Sequence, residues 1–104
     1  MAAAAATDRP TKAQFAEQVD QTFRARSSDG EEFEMSLAEF HDILDSETQE
    51  TFSLVFKAPA DLQAEQSTYT VSNAGLGEQA IFLVPIKRDE SGLYFEAIYN
   101  RFKR

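Results

Sequence analysis

Apolar and polar residues alternate with a period of two through much of this chain. Three short runs in the second half, Phe52-Ser53-Leu54-Val55-Phe56, Ala80-Ile81-Phe82-Leu83-Val84-Pro85-Ile86 and Leu93-Tyr94-Phe95-Glu96-Ala97-Ile98-Tyr99, are almost continuously apolar. Each is bounded by turn-forming residues and is too short for a buried helix, so each predicts a buried or half-buried strand. Thr22-Phe23-Arg24-Ala25-Arg26 alternates in the way of a strand with one wet face, as do Phe33, Met35 and Leu37 against Glu32, Glu34 and Ser36. Asp29-Gly30 between these two runs predicts a hairpin of the tight kind in which both central residues take positive φ. Ser67-Thr68-Tyr69-Thr70-Val71 is a further strand, turned by Asn73-Ala74-Gly75-Leu76-Gly77. Residues 80–86 then pair with residues 93–102 across Asp89-Glu90-Ser91-Gly92, where Gly92 suits a left-handed position.

One short helix precedes the strands. Thr11-Lys12-Ala13-Gln14 fits a capping box, and Phe15 and Val19, four apart, share a face of a helix that ends near Asp20. So short a helix is not stable alone and has to dock on the sheet. Beyond Leu37 the alternation slips, because Phe40 and Ile43 fall out of step. A bulge in a long strand accounts for this, and so does a short helix with Leu37, Phe40, His41 and Leu44 on one face. The bulged strand is preferred on the resemblance described below. The predicted fold is mainly β (α+β with one short N-terminal helix): about six antiparallel strands in a twisted sheet forming a small barrel or sandwich. Residues 1–10 read as a flexible Ala-rich lead, and residues 11–104 as a single small domain.

Charge and composition narrow the function classes. Net charge is −8, with twelve acids and four bases in residues 1–50 against six of each in residues 51–104. Residues 29–50 hold nine acids and no Lys or Arg. Such a surface repels phosphate backbones and anionic lipid, so neither nucleic acid nor a membrane surface is an expected partner. No stretch reaches the roughly 20 apolar residues of a membrane span. The absence of cysteine excludes disulfides, thiolate catalysis, zinc–thiolate sites and iron–sulfur clusters. The expected place of folding is the bacterial cytoplasm.

No cofactor or metal site is predicted. His41, the single histidine, has Asp42 and Asp45 nearby, but without a second imidazole it reads as an exposed histidine on an acidic element. The acidic stretch lacks the alternating acids and central Gly of a calcium loop. Glu31, Glu32 and Glu34 form either a solvated strand face or an electrostatic docking surface for a basic partner. Pro85, which has no N–H for a ladder, marks an edge position or a bulge, and an edge would let another chain pair alongside. Arg101, Lys103 and Arg104 make a basic end around Phe102. That end either meets the acidic half, within the fold or on a neighbouring copy, or frays in solvent.

Taken in order, Phe52-Ser53-Leu54-Val55-Phe56 with Pro59, Gly75-Leu76-Gly77, Phe82-Leu83-Val84-Pro85-Ile86 and Tyr94-Phe95-Glu96-Ala97-Ile98-Tyr99-Asn100 carry a resemblance. With Phe15 and Thr22-Phe23-Arg24 ahead of them, the chain resembles a family of small bacterial domains of unknown function, over about residues 12–100. The resemblance implies encoding near phage-tail-collar and tail-fibre-like proteins, hence a structural part of a phage tail or tail-like particle. It supplies no catalytic residue. The expected function is therefore a non-enzymatic structural or adaptor domain acting through protein–protein contacts, with copies of itself or neighbouring tail proteins as partners. A small cell-surface module holding a glycan or peptide on Tyr69, Tyr94 and Tyr99 is the alternative, weakened because Tyr94 and Tyr99 differ in strand parity. A third reading, an enzyme using a carboxylate pair such as Glu96 with Glu34, has nothing in the sequence that brings the pair together.

Overall fold

Residues 10–103 are described in a computed structural model, as one helix followed by six strands. The helix α1 (Lys12–Ala16) precedes β1 (Thr22–Arg26), β2 (Glu32–Asp45), β3 (Gln49–Ala58), β4 (Ser67–Asn73), β5 (Gly77–Arg88) and β6 (Leu93–Phe102). The strands pair antiparallel in the order β1-β2-β3-β6-β5-β4, and β4 hydrogen-bonds back to β1. One sheet thus closes into a ring, not a two-sheet sandwich.

Strand parity fills the ring. Phe23, Ala25, Met35, Leu37, Phe52, Leu54, Phe56, Ile81, Leu83, Phe95 and Ala97 all point inward and are buried. Phe15, Phe52, Phe56 and Phe95 are fully buried, and each contributes about 1.5–3 kcal/mol by leaving water. Phe23 meets Phe56 edge-on at 5.2 Å, while Phe33 stacks on Phe95 at 5.8 Å. β3 is buried on its outer face too, at Ser53 and Val55. It lies between the long ladders of β2 and β6, so Ser53 is flanked by His41 and Ile98, and Val55 by Glu39 and Glu96.

The capping box forms as the sequence predicts. Thr11 Oγ1 accepts from Gln14 N at 3.1 Å, and Gln14 Oε1 accepts from Thr11 N at 2.8 Å. The α-helix is shorter than expected, since Ala16 is its last residue and a turn carries the chain to Asp20. Asp20 sits at φ 73° and its N–H donates to the Leu37 carbonyl, which leads the backbone into β1. Of the predicted lead, residues 1–9 lie outside the described residues, and Pro10 is buried rather than loose.

The chain beyond Leu37 is a long bulged strand, with register shifts between Leu37 and Glu39 and between Asp42 and Leu44. Three turn details differ from the sequence prediction. At the first hairpin only Gly30 has positive φ (94°). Gly30 N donates to the Ser27 carbonyl and Ser27 N to the Glu31 carbonyl, so the loop is three residues closed by a left-handed glycine. Asp29 is freed from positive φ, and its side chain instead accepts from the Ser27 hydroxyl. Gly92 is not left-handed either; a Cβ there would stand 2.6 Å from the Ala58 carbonyl oxygen, so glycine is required for close approach. The third difference, in the β5–β6 pairing, shapes the candidate site.

Candidate functional site

β5 divides its two halves between two neighbours. Residues 77–83 pair with β4, from Gly77 opposite Asn73 to Leu83 opposite Ser67. Only Val84 to Arg88 pair with β6, opposite Glu96 to Leu93. The expected pairing of 80–86 with β6 therefore fails over its first half, and β5 and β6 diverge there. Helix α1 stands at this end of the ring. Phe15 packs on Phe52 of β3 at 5.9 Å and on Tyr99 of β6 at 5.3 Å. Gln18, in the turn after the helix, accepts from Asn73 Nδ2 of β4 at 2.6 Å and crowds Gly75, where a Cβ would meet it at 2.6 Å. The helix segment thus bridges β3 and β6 on one side and β4 on the other at this end of the ring.

The divergence leaves a cleft of about 540 Å³ lined by Ala80, Ile81, Phe82, Val84, Ala97 and Ile98, with Glu96 and Tyr99 at its margins. Its rim is unusually apolar for a sheet exterior. Phe82 is 52% and Ile98 58% exposed. Exposed large apolar residues grouped around unpaired strand edges mark a docking surface more often than scattered single residues do.

At Pro85 the two alternatives read from the sequence coincide, because β5 is bulged here and has no strand on its β4 side. Pro85 lies opposite Phe95 in the β6 ladder, and the register shifts between Pro85 and Lys87. β4 stops pairing at Leu83, two residues earlier, so the missing Pro85 N–H costs no ladder bond on that side.

The charged candidates are largely consumed inside the fold. Arg24 bridges Glu32 (3.6 Å) and Glu34 (3.0 Å), so these two carboxylates share one cation on the outer face. Arg101 lies on the Phe52 and Tyr99 rings, at 5.3 and 5.0 Å, reaches Glu50 at 3.7 Å and donates to the Pro10 carbonyl at 2.7 Å. Lys103 binds Asp45, which Lys12 also reaches at 2.5 Å, and Lys12 extends to Asp42 at 3.1 Å. The basic end therefore meets the acidic half within the fold, and it closes the α1 end of the ring with charge pairs where apolar packing runs out. Arg104 lies outside the described residues.

Hydrogen bonds from Lys103 and Lys12 hold the Asp45 carboxyl down from its ordinary 3.8 to about 2. A carboxylate lowered on folding adds stability above its unfolded-state value, and that addition is lost as pH falls through about 2. Asp45→Asn is accordingly expected to flatten the acid limb of the urea-midpoint profile between 3.8 and about 2. An unchanged limb would show that the charge pairs carry no weight in solution.

Glu31 lies elsewhere, at the opposite end of the ring. There Ser27, Asp29, Glu31, Leu62, Glu65 and Tyr69 line a polar cleft of about 440 Å³. The three tyrosines form no common platform. Tyr69 is buried and donates to the Glu65 carbonyl at 2.7 Å, Tyr99 stacks on Phe52 at 5.0 Å, and Tyr94 lies under Lys87 Nζ at 4.7 Å. Burial pushes the Tyr69 and Tyr99 hydroxyls above their ordinary range. His41 pairs with Glu39 at 2.7 Å on the exposed outer face, while Asp42 and Asp45 belong to the lysines. Glu96 faces Glu39 across Val55 and is not beside Glu34. Among the described residues no group of three or more His, Cys, Asp or Glu is arranged to hold a metal ion, and no helix is long and apolar enough to cross a membrane.

The cleft residues were not singled out from the sequence, although parity marks them. Phe82 lies on the outward parity of β5, and Ile98 occupies an outward position between Glu96 and Asn100. Comparison with protein families returns one match, a domain of unknown function, DUF6916, spanning residues 10–99. The chain belongs to this family. The match begins at Pro10 and ends at Tyr99, so it takes in α1, β1 to β5, β6 as far as Tyr99 and both walls of the cleft. No curated protein and no solved structure matches the chain.

Proposed function

We propose that this DUF6916 domain is a non-enzymatic structural or adaptor domain that works through protein–protein contacts, as a component of a bacteriophage tail or tail-like particle. The β5–β6 cleft carries this reading. It joins exposed Phe82 and Ile98 to strand segments that lack a neighbour on the cleft side, and both features favour a polypeptide partner. The family resemblance supplies the particle context. Mass spectrometry of tail particles purified from cells encoding the chain is the test. The domain is expected in fixed ratio to the tail-fibre protein, and particles free of it would overturn the reading.

A glycan- or peptide-binding module is the second reading. The polar cleft at the other end favours it, since carboxylates and hydroxyls converge there. The buried ring of Tyr69 offers no stacking face, which removes the usual aromatic contribution to sugar binding. Saturable binding on a glycan array, lost with Glu31→Ala, would move the function to that end.

A further inference from the structure

Resting on the cleft as a docking surface, we propose that copies of this chain join head to tail, with the open edge of β2 in one copy adding as a strand to the β5–β6 cleft of the next. The cleft is the acceptor. Residues 80–83 of β5 pair with β4 on one side and 97–99 of β6 pair with β3 on one side, and neither segment pairs with the other. Their main-chain groups on the cleft side select an extended polypeptide over a globular surface, because only a strand presents N–H and C=O groups at the matching spacing.

The same chain carries a matching donor. β2 pairs with β1 from Glu32 to Ser36, and Leu37 then exchanges hydrogen bonds with Asp20 and Gln21. From Phe40 to Asp45, β2 pairs with β3 alone, and no strand lies on its other side among the described residues. Ile43 (59% exposed) and Leu44 (44% exposed) stand on this segment, giving it apolar side chains to set against Phe82 and Ile98. The register shift after Asp42 places Ile43 at a bulge, immediately after the regular run 39–42. Two of the donor acids, Asp42 and Asp45, are already paired with Lys12 and Lys103, which lowers the local repulsion expected when this segment meets another copy.

Because donor and acceptor are different surfaces, the contact is heterologous. It grows into rings or open arrays and does not stop at a two-fold dimer.

Light scattering on the full chain from micromolar to millimolar concentration tests this, with four exposed positions substituted so that the core stays intact. Wild-type mass is expected to rise past a dimer. Phe82→Glu and, independently, Ile98→Glu remove the acceptor, and Ile43→Glu removes the donor; each variant is expected to stay monomeric with an unchanged circular dichroism spectrum. Phe102→Glu, at a more exposed apolar position outside the cleft lining and the 40–45 segment, is expected to assemble as wild type does. Mixing Phe82→Glu with Ile43→Glu restores one good donor and one good acceptor, so the mixture is expected to reach a dimer and go no further. A wild type that stays monomeric, or that saturates at a dimer, overturns the proposal, as does a variant mixture that stays monomeric. If the wild type is monomeric while a tail protein still binds it and is lost with Phe82→Glu, head-to-tail assembly falls and the adaptor reading stands.

Discussion

Phe15→Ala is expected to cost about 3–5 kcal/mol, a large share of the roughly 5–15 kcal/mol that holds a domain of this size together. The residue is fully buried, though it belongs to a helix of only five residues. Its ring meets Phe52 and Tyr99, so truncation opens a cavity between α1, β3 and β6 that these rigid neighbours cannot collapse to fill. The helix has no other fully buried side chain to hold it, and its capping box contributes only about 1 kcal/mol. Loss of Phe15 is therefore expected to release α1 as well as weaken the core. Urea unfolding followed by tyrosine fluorescence measures the effect. A loss below about 1 kcal/mol would mean that α1 does not anchor the α1 end of the ring.

Gly92→Val is expected to destabilise by about 2–3 kcal/mol through steric overlap alone. A Cβ at this position stands 2.6 Å from the Ala58 carbonyl oxygen and 2.9 Å from Lys57 Cγ, and the carbonyl is backbone of the neighbouring strand. The β5–β6 turn would have to shift, pulling Gly92 N from the Asp89 carboxylate it donates to at 3.1 Å. Gly30→Ala offers the contrast. Nothing lies within 4 Å of a Cβ there, and the cost is the left-handed backbone at φ 94°, about 1 kcal/mol. Thermal melts of the two variants should rank Gly92→Val well below Gly30→Ala. The reverse order would mean that turn conformation, not close approach, governs these loops.

Much of the ring was readable from the chain because strand parity is a local property. The runs around Phe23, Met35, Phe52, Tyr69, Ile81 and Phe95 each state which face is buried, and six such strands can share one core. The capping box at Thr11 and Gln14 was equally local. What parity cannot give is which strand stops pairing with which. At the end of the ring where β5 and β6 diverge, Phe15 and Gln18 of one short segment contact β3 and β6 on one side and β4 on the other, a juxtaposition of residues 37 or more apart in sequence. Phe82 and Ile98 were therefore read as strand composition when they are exposed rim residues. Pro85 marks the unpaired β4 side of β5, while the cleft edge lies just ahead of it on the side towards β6. The partners of the acidic stretch were legible in part. Arg24 meets Glu34 across a local hairpin, but Lys12, Arg101 and Lys103 reach their acids only through contacts 30 or more residues apart in sequence. Asp29 and Gly92 show that a residue type suited to a left-handed turn can be present for a side-chain cap or for lack of room instead.

The account depends on strand addition at the opened seam, and amide hydrogen exchange of the full chain, measured at low and high protein concentration, tests this directly. Protection should rise with concentration in peptides covering 80–83, 97–99 and 40–45, while peptides covering 52–56 and 22–26 stay unchanged. Exchange at the cleft and the β2 edge that is indifferent to concentration would contradict it.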